Sequence, residues 1–357
     1  MTETELAEAG RVEELVRIPV FDGHNDILSR LMHEGREGAE TRVLKGSARM
    51  QVDMPKAREG GLAGGLCAIY VPSPAWGLDE NGDLPRVERL SALEQTIAQA
   101  ALLSRIAEQS DGAFSICTSV AEIRAAMEKE SFAAVFHIEG IEAAGSDLDL
   151  IHVLHAAGLR TLGPVWSRPN IFAHGVPFRF GHQPDIGPGL SDAGRDLIRL
   201  CNRLRIMVDL SHMNDAGFWD VAKISDAPLV ASHSNAFAIC PHSRNATDRQ
   251  LDAIRDTGGL IGLNFGVKFL HPDGKADAEM DISVMVRHVD YLVDRVGIDH
   301  VGLGSDFDGT LISNRIGDAT GLPRLLGALR TAGYDDAALT RIAHGNWLSL
   351  LERTLGA

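Results

Sequence analysis

The chain has 357 residues, of which 45% are apolar, enough for one large α/β domain or two ordinary ones with a buried core. Its formal charge of −15, from 34 basic against 49 acidic residues, argues against a nucleic-acid partner or an anionic lipid surface. The start, "MTETELAEAGRVEELVRIPV", is charged throughout with no apolar signal core, and no stretch approaches a membrane span; Cys67, Cys117, Cys201 and Cys240 are scattered without a C-x-x-C. The expectation is a cytoplasmic protein with free, mostly buried thiols.

Taken in chain order, eight short β-like runs recur: "IPVFDGHND", "GLAGGLCAIYV", "FAAVFHIEG", "LRTLGPVWS", "RIMVDLSH", "PLVASHS", "GLIGLNFG" and "HVGLGSDFDG". Most are almost continuously apolar, as strands buried on both faces of a parallel sheet must be. Helical stretches separate most of them. "VERLSALEQTIAQAALLSRIAEQ" is long and amphipathic, and "SDAGRDLIRLCNRL" opens on Ser191 as N-cap. "ATDRQLDAIRDTGG" sets Thr247 before a helix and Gly258–Gly259 after it, and "ISVMVRHVDYLVDRVG" has apolar residues at helical spacing. "FSICTSVAEIRAAMEKE" is an extra segment ahead of the third run, and two helices close the chain at 322–332 and 335–355. Eight β/α units predict a (β/α)8 TIM-type barrel spanning 1–357 as one domain. An open doubly wound sheet is the alternative, but "GLAGG" lacks the G-x-G-x-x-G spacing it would need. "WSRPNIFAHGVPFRFGHQPDIGPG" reads as a functional loop over the site.

In such a barrel, chemistry sits at the C-terminal ends of the strands. The residues there are His24 and Asp26, Tyr70, Glu139, Trp166, His212, His233, Asn264 and Asp306. His24 and Asp26 alone are a weak pattern; in a strand, residues two apart share a face, and a simple hydrogen-bonded pair explains them equally well. Each of the others has a similarly ordinary explanation. Three histidines, two aspartates and a glutamate on one rim are much better explained by a metal centre. A single Zn²⁺ needs about three protein ligands. More are on offer, so two divalent ions are expected: His24, Asp26 and Glu139 for one, and Glu139, His212 and His233 for the other, bridged by Glu139. The only lysine near a strand end is Lys268, past the seventh run. Mixed imidazole and carboxylate donors suit Zn²⁺, with Mn²⁺ or Co²⁺ as alternatives. Asp306, left without a metal, is the expected proton shuttle. His137 points the same way as Glu139 but deeper, as barrel filling or support. Asp308 reads as a turn residue, and His242, His288, His300 and His344 as surface or packing residues. Arg244, in "CPHSRNATD", is placed to bind a substrate carboxylate.

In order along the chain, "DGHND", "EG" after an apolar strand, "DLSH", "SHS" with a following "RN", and "GSDFDG" resemble the membrane (renal) dipeptidase family of zinc peptidases in the amidohydrolase superfamily. The match spans 22–309. The resemblance implies two zinc ions on His24, Asp26, Glu139, His212 and His233, a catalytic aspartate at Asp306, a carboxylate-binding arginine at Arg244, dipeptide substrates that include L-D pairs, and a homodimer. One departure stands out. The family ends its fourth strand on a histidine in a Thr-Leu-Thr-His run that contacts the scissile carbonyl, and here "TLGPVW" puts Trp166 there. Indole N–H donates but neither accepts nor titrates. Trp166, or His174 from the following loop, is therefore expected to supply that contact, with Tyr70 beside them. The alternative activities are an N-acyl-amino-acid deacylase or a lactonase on the same scaffold. A metal-bound scaffold without activity would have lost a ligand or the shuttle, and none is missing.

Overall fold

A computed structural model of the chain describes residues 18–80 and 82–356. The reading of the first 17 residues as lacking a signal core lies outside them. Among the described residues nine strands run parallel: β1 (Val20–Asn25), β2 (Leu62–Tyr70), β3 (Phe114–Ile116), β4 (Phe132–Glu139), β5 (Leu159–Gly163), β6 (Met207–Val208), β7 (Val230–Ala231), β8 (Leu260–Leu263) and β9 (Val301–Leu303). Two ladders, β1-β2-β4-β5-β6 and β7-β8-β9, make up the wall. Asp209 bridges to Val230 at one seam and Asn25 to Phe307 at the other. Backbone bonds from Leu210 N to Val230 O (2.8 Å) and from Asp26 N to Phe307 O (2.8 Å) hold those seams. The eight runs of the sequence are thus the eight staves of a (β/α)8 barrel.

The extra segment before the third run holds β3 and the helix Val120–Glu128. β3 pairs with the lower half of β4, Phe114 with Phe132, and β5 pairs with the upper half, Glu139 with Gly163. One edge of β4 therefore carries two strands end to end.

Alternation along β4 sorts the core. Ala134, Phe136 and Ile138 belong to the outer core, which also takes in Leu102, Leu103 and Ile106 of the helix Arg89–Gln109. Ala133 and Val135 belong to an inner cluster with Phe21, Leu66, Met207, Val230, Leu260 and Trp347. Period-two alternation carries that inward face on to His137 and Glu139 at the C-terminal end. Trp347, from the closing helix Asn346–Leu355, plugs the opposite end; its indole N–H donates to Leu303 O at 2.9 Å. The predicted caps are present: Ser191 Oγ accepts from Gly194 N, and Thr247 and Gln250 form a capping box. All four cysteines are free and buried. No described helix is long and apolar enough to cross a membrane.

β6 and β7 are much shorter than their runs. The ladder stops because a side chain takes over: Asp209 Oδ1 accepts from Ser211 N (3.0 Å) and Ser232 N (2.8 Å), across the seam between the two ladders. "DLSH" and "SHS" therefore leave the strand conformation just where they reach the site, and His212 takes a left-handed backbone at φ 67°.

Candidate metal centre

The end of β4 presents Glu139 to three imidazoles. Its Oε1 lies 2.8 Å from His212 Nε2, 3.3 Å from His233 Nε2 and 3.8 Å from His24 Nε2. His24 Nε2 is also 3.4 Å from Asp26 Oδ2, and the two nitrogens of His212 and His233 are 3.0 Å apart. Donor atoms of Glu139, His212 and His233 fall within 4.8 Å of one another, and so do those of His24, Asp26 and Asp306. All six residues expected at the site therefore converge.

The segment after β9 brings in Asp306, in left-handed backbone at φ 59°. Asn264, at the end of β8, donates its Nδ2 to Asp306 Oδ2 at 2.8 Å and leaves the other oxygen without that bond. A Cβ at Gly309 would collide with carboxylate oxygens of both Asp26 and Asp306, so the last glycine of "GSDFDG" keeps space between two acids. Asp308 is indeed a turn residue: its carboxylate accepts from Gln51 N and Val52 N. At the other end of that motif, Ser305 donates its N–H (2.6 Å) and Oγ–H (2.7 Å) to Asp22, tying β9 to β1.

Electrostatics explain what the cluster requires. Burial pushes Glu139 well above the ordinary carboxylate range and Asp306 up to about 7. His212 and His233 are held well below the usual imidazole range by burial, reinforced by the charges of Arg244 and His24. Burial also disfavours a charged His24, but Glu139, Asp26 and Asp306 outweigh it and lift its pKa to about 10. The acidic cluster thus favours a proton on His24. A cation would offset that charge better. The donor set fits a divalent ion: both ring nitrogens of His24 are buried without a hydrogen-bond partner, a costly state that ligation would relieve.

The wall around the cluster is aromatic and braced. Trp166 is buried; its ring centroid lies 5.8 Å from that of His212, 5.1 Å from Tyr70 and 5.4 Å from Phe178. Arg168, fully buried, stacks 5.0 Å from the Trp166 ring. It bonds Glu142 Oε1 at 2.9 Å and Val71 O at 2.6 Å, joining the loops after β2, β4 and β5. The loop 166–189 crosses the strand ends as expected, through bridges of Gly175 to Met213 and Phe180 to His242. His174, however, does not join the cluster: its ring bonds Asp83 Oδ1 at 3.0 Å and packs against Gly187. An acidic partner 91 residues away captures it, which nothing in "FAHG" announces. Tyr70 sits on the rim with its hydroxyl unpartnered.

Arg244 lies under the rim, only 4% exposed. Its guanidinium donates to His233 O (3.0 Å) and Ser234 Oγ (3.3 Å), and its buried Nε–H has no partner. The four histidines read as surface or packing residues are held by local bonds: His288 bridges Ala236 N and Leu270 O, His242 accepts from Arg244 N, and His300 and His344 bond the carbonyls of Gly259 and Pro19. His137 bonds Thr161 Oγ1 and stands edge-on to His24. Lys268 is exposed.

Sequence reasoning passed over Asp209, Ser167, Ser232 and the Arg168–Glu142 pair. Ser167 Oγ lies 2.7 Å from His212 Nδ1, and Ser232 Oγ lies 2.8 Å from His233 Nδ1. The signal available was adjacency: each serine flanks a site residue, Trp166 or His233.

Comparison with known proteins gives the chain a family. Residues 8–355 match the profile of the membrane dipeptidase family, peptidase family M19. The chain is similar to the crystal structure of a dipeptidase AC, a metallo peptidase of family M19, at 50% identity and a TM-score of 0.92, covering 96% of this chain and all of that one. It is similar to a metallo peptidase from Rhodobacter sphaeroides liganded with a phosphinate mimic of the dipeptide L-Ala-D-Ala, at 49% identity and a TM-score of 0.91, covering 95% and 99%. An uncharacterized protein in the pqqA 5′ region of Klebsiella pneumoniae is 46% identical over 257 residues, 71% of this chain and 94% of that protein. With the barrel, the converging donors and these similarities together, the chain belongs to the membrane dipeptidase family of metallopeptidases.

Proposed function

We infer that this metal-dependent dipeptidase works with two divalent ions, most simply Zn²⁺, held by His24, Asp26, Glu139, His212 and His233. The observation that carries the reading is Glu139 Oε1 within 3.8 Å of three separate imidazole nitrogens, a meeting point that one ion leaves partly unused. Two ions so held supply Lewis-acid polarisation of a peptide carbonyl and a water acidic enough to attack near neutral pH.

The chain's own residues do the rest. Asp306 accepts the proton of the attacking water and returns it to the leaving amine, a role its position within reach of the His24 and Asp26 donor atoms allows. Asn264 fixes one carboxylate oxygen and so aims the other. Arg244 pairs with the free α-carboxylate of the second residue, which limits substrates to those ending one residue beyond the scissile bond. Trp166 and Tyr70 form the wall against the first residue and keep water out. The burial of Arg244 supports this role, since a guanidinium out of water gains most from a carboxylate partner.

A panel of L-L and L-D dipeptides, their C-terminal amides and N-acyl amino acids, assayed with metal-loaded protein, tests the reading. Dipeptides with a free carboxylate should be turned over fastest. Preferential hydrolysis of N-acyl amino acids would replace the dipeptidase reading with a deacylase, and rapid cleavage of tripeptides would remove the carboxylate clamp.

A further inference from the structure

Asp209 lies at the base of the site, on the seam between β6 and β7, and has no role in the chemistry described so far. One oxygen of Asp209 falls within 4.8 Å of donor atoms of His24 and His233, which by distance alone makes it another possible ligand. Its hydrogen bonds say otherwise. Oδ1 is taken by the N–H groups of Ser211 and Ser232 at 3.0 and 2.8 Å. Oδ2 accepts the hydroxyl of Ser232 at 2.5 Å and faces His137 Nε2 at 3.6 Å. A carboxylate committed in this way holds other groups in place.

We propose that Asp209 is a positioning residue that, through Ser232, sets the tautomer of His233; this rests on His233 being a metal ligand. An ionised carboxylate only accepts, so the single hydroxyl hydrogen of Ser232 must point at Asp209. The Ser232 oxygen, 2.8 Å from His233 Nδ1, can then only accept from that nitrogen. His233 therefore carries its proton on Nδ1. Its Nε2 lone pair is directed at the meeting point beside Glu139 Oε1 (3.3 Å) and His212 Nε2 (3.0 Å). Ligating histidines generally owe their orientation and basicity to such a partner on the far nitrogen. Here the partner is a serine that is itself polarised by a buried acid.

Asp209→Asn reverses the relay. The two backbone N–H groups keep the amide oxygen on the Oδ1 side, so the new NH₂ faces Ser232. Ser232 then accepts from Asn, and its hydrogen turns to His233 Nδ1 at 2.8 Å, the nearer acceptor, rather than to Ser211 Oγ at 3.4 Å, which moves the His233 proton to Nε2, the wrong nitrogen for ligation. Metal affinity of the full chain, read by competition with a chromophoric zinc chelator, should fall about 10–100-fold in Asp209→Asn and in Ser232→Ala. In the double variant the loss should be no greater than in the worse single one, because the relay is already broken. Proton–nitrogen correlation spectra of histidine-labelled, metal-free protein should show the His233 proton on Nδ1 in the wild type and on Nε2 in Asp209→Asn, with His233→Gln assigning the signal.

Three results would overturn the relay: an affinity within twofold of wild type in Ser232→Ala, losses that simply add in the double variant, or an unchanged tautomer in Asp209→Asn. If Asp209→Asn does not fold, the Ser232→Ala affinity alone decides. His233→Gln separates the two levels of the account. If it binds metal as tightly as wild type, His233 is not a ligand; if it loses the metal while Ser232→Ala keeps it, the ligand stands and the relay falls.

Discussion

The two sides of the metal centre are held in different ways. On the β6–β7 side, His212 and His233 each have a serine on the far ring nitrogen, at 2.7 and 2.8 Å. On the β1 side, His24 has no hydrogen bond on either nitrogen. Packing fixes it instead: its ring stacks on His233 at 3.8 Å and meets His137 edge-on at 5.4 Å. The acids are distributed the other way, with Asp26 and Asp306 both crowding His24. One side is therefore organised by directional hydrogen bonds before any ion arrives. The other is a cluster of negative charge that needs a cation to settle. Glu139 belongs to both, which makes it the residue through which the sides communicate.

The largest effect should come from breaking both sides at once. Glu139→Gln keeps the size of the side chain but removes the charge that three imidazoles share. Metal content should drop on both sides and turnover should fall below detection; a variant that retains two ions and measurable activity would show that Glu139 is not the bridge.

Asp306→Asn should separate chemistry from metal binding. The β1 side loses a negative charge but keeps His24 and Asp26, so both ions and the fold should remain. Loss of the proton shuttle should lower kcat by about 10²–10⁴-fold. Near-wild-type kcat would assign the proton transfer to another group.

Arg244→Ala should act on substrate binding rather than on metal content. Truncating one member of a buried charge pair costs about 2–5 kcal/mol, or roughly 30–5,000-fold in kcat/KM. The loss should vanish for a dipeptide amide, which has no carboxylate to clamp. Equal losses on acid and amide would mean that the bonds from Arg244 to His233 O and Ser234 are its whole purpose.

The smallest effect, and the one that most sharpens the comparison, is the order of metal release. Stepwise chelation should remove the ion on the His24 side first, since no hydrogen bond preorients that imidazole. Ser167→Ala should weaken only the more tightly held ion, by about 10–100-fold. If Ser167→Ala loosens the first-released ion instead, the assignment of the two sides is inverted.

The staves and the donors that converge at their ends were readable in the sequence for a physical reason. A doubly buried parallel strand leaves an unmistakable run of Val, Ile and Leu, and the barrel rule places whatever polar residue ends the run at the site. His24, Glu139, His212, His233 and Asp306 follow from that alone. Support residues leave no such trace. Ser167, Ser232 and Asp209 are ordinary residue types, and their roles depend on distances across the seam. Arg168 and Glu142 meet across 26 residues, and His174 is drawn to Asp83 across 91. The shortness of β6 and β7 was hidden for the same reason: an apolar run shows where a strand can form, whereas the Asp209 carboxylate decides where it stops.

The central claim is a pair of ions joined through Glu139, and counting metal against activity tests it most directly. Metal-free protein titrated with Zn²⁺, with bound metal measured by elemental analysis and dipeptide hydrolysis measured on the same samples, should reach full activity only at two ions per chain. Full activity at one ion per chain would contradict the account.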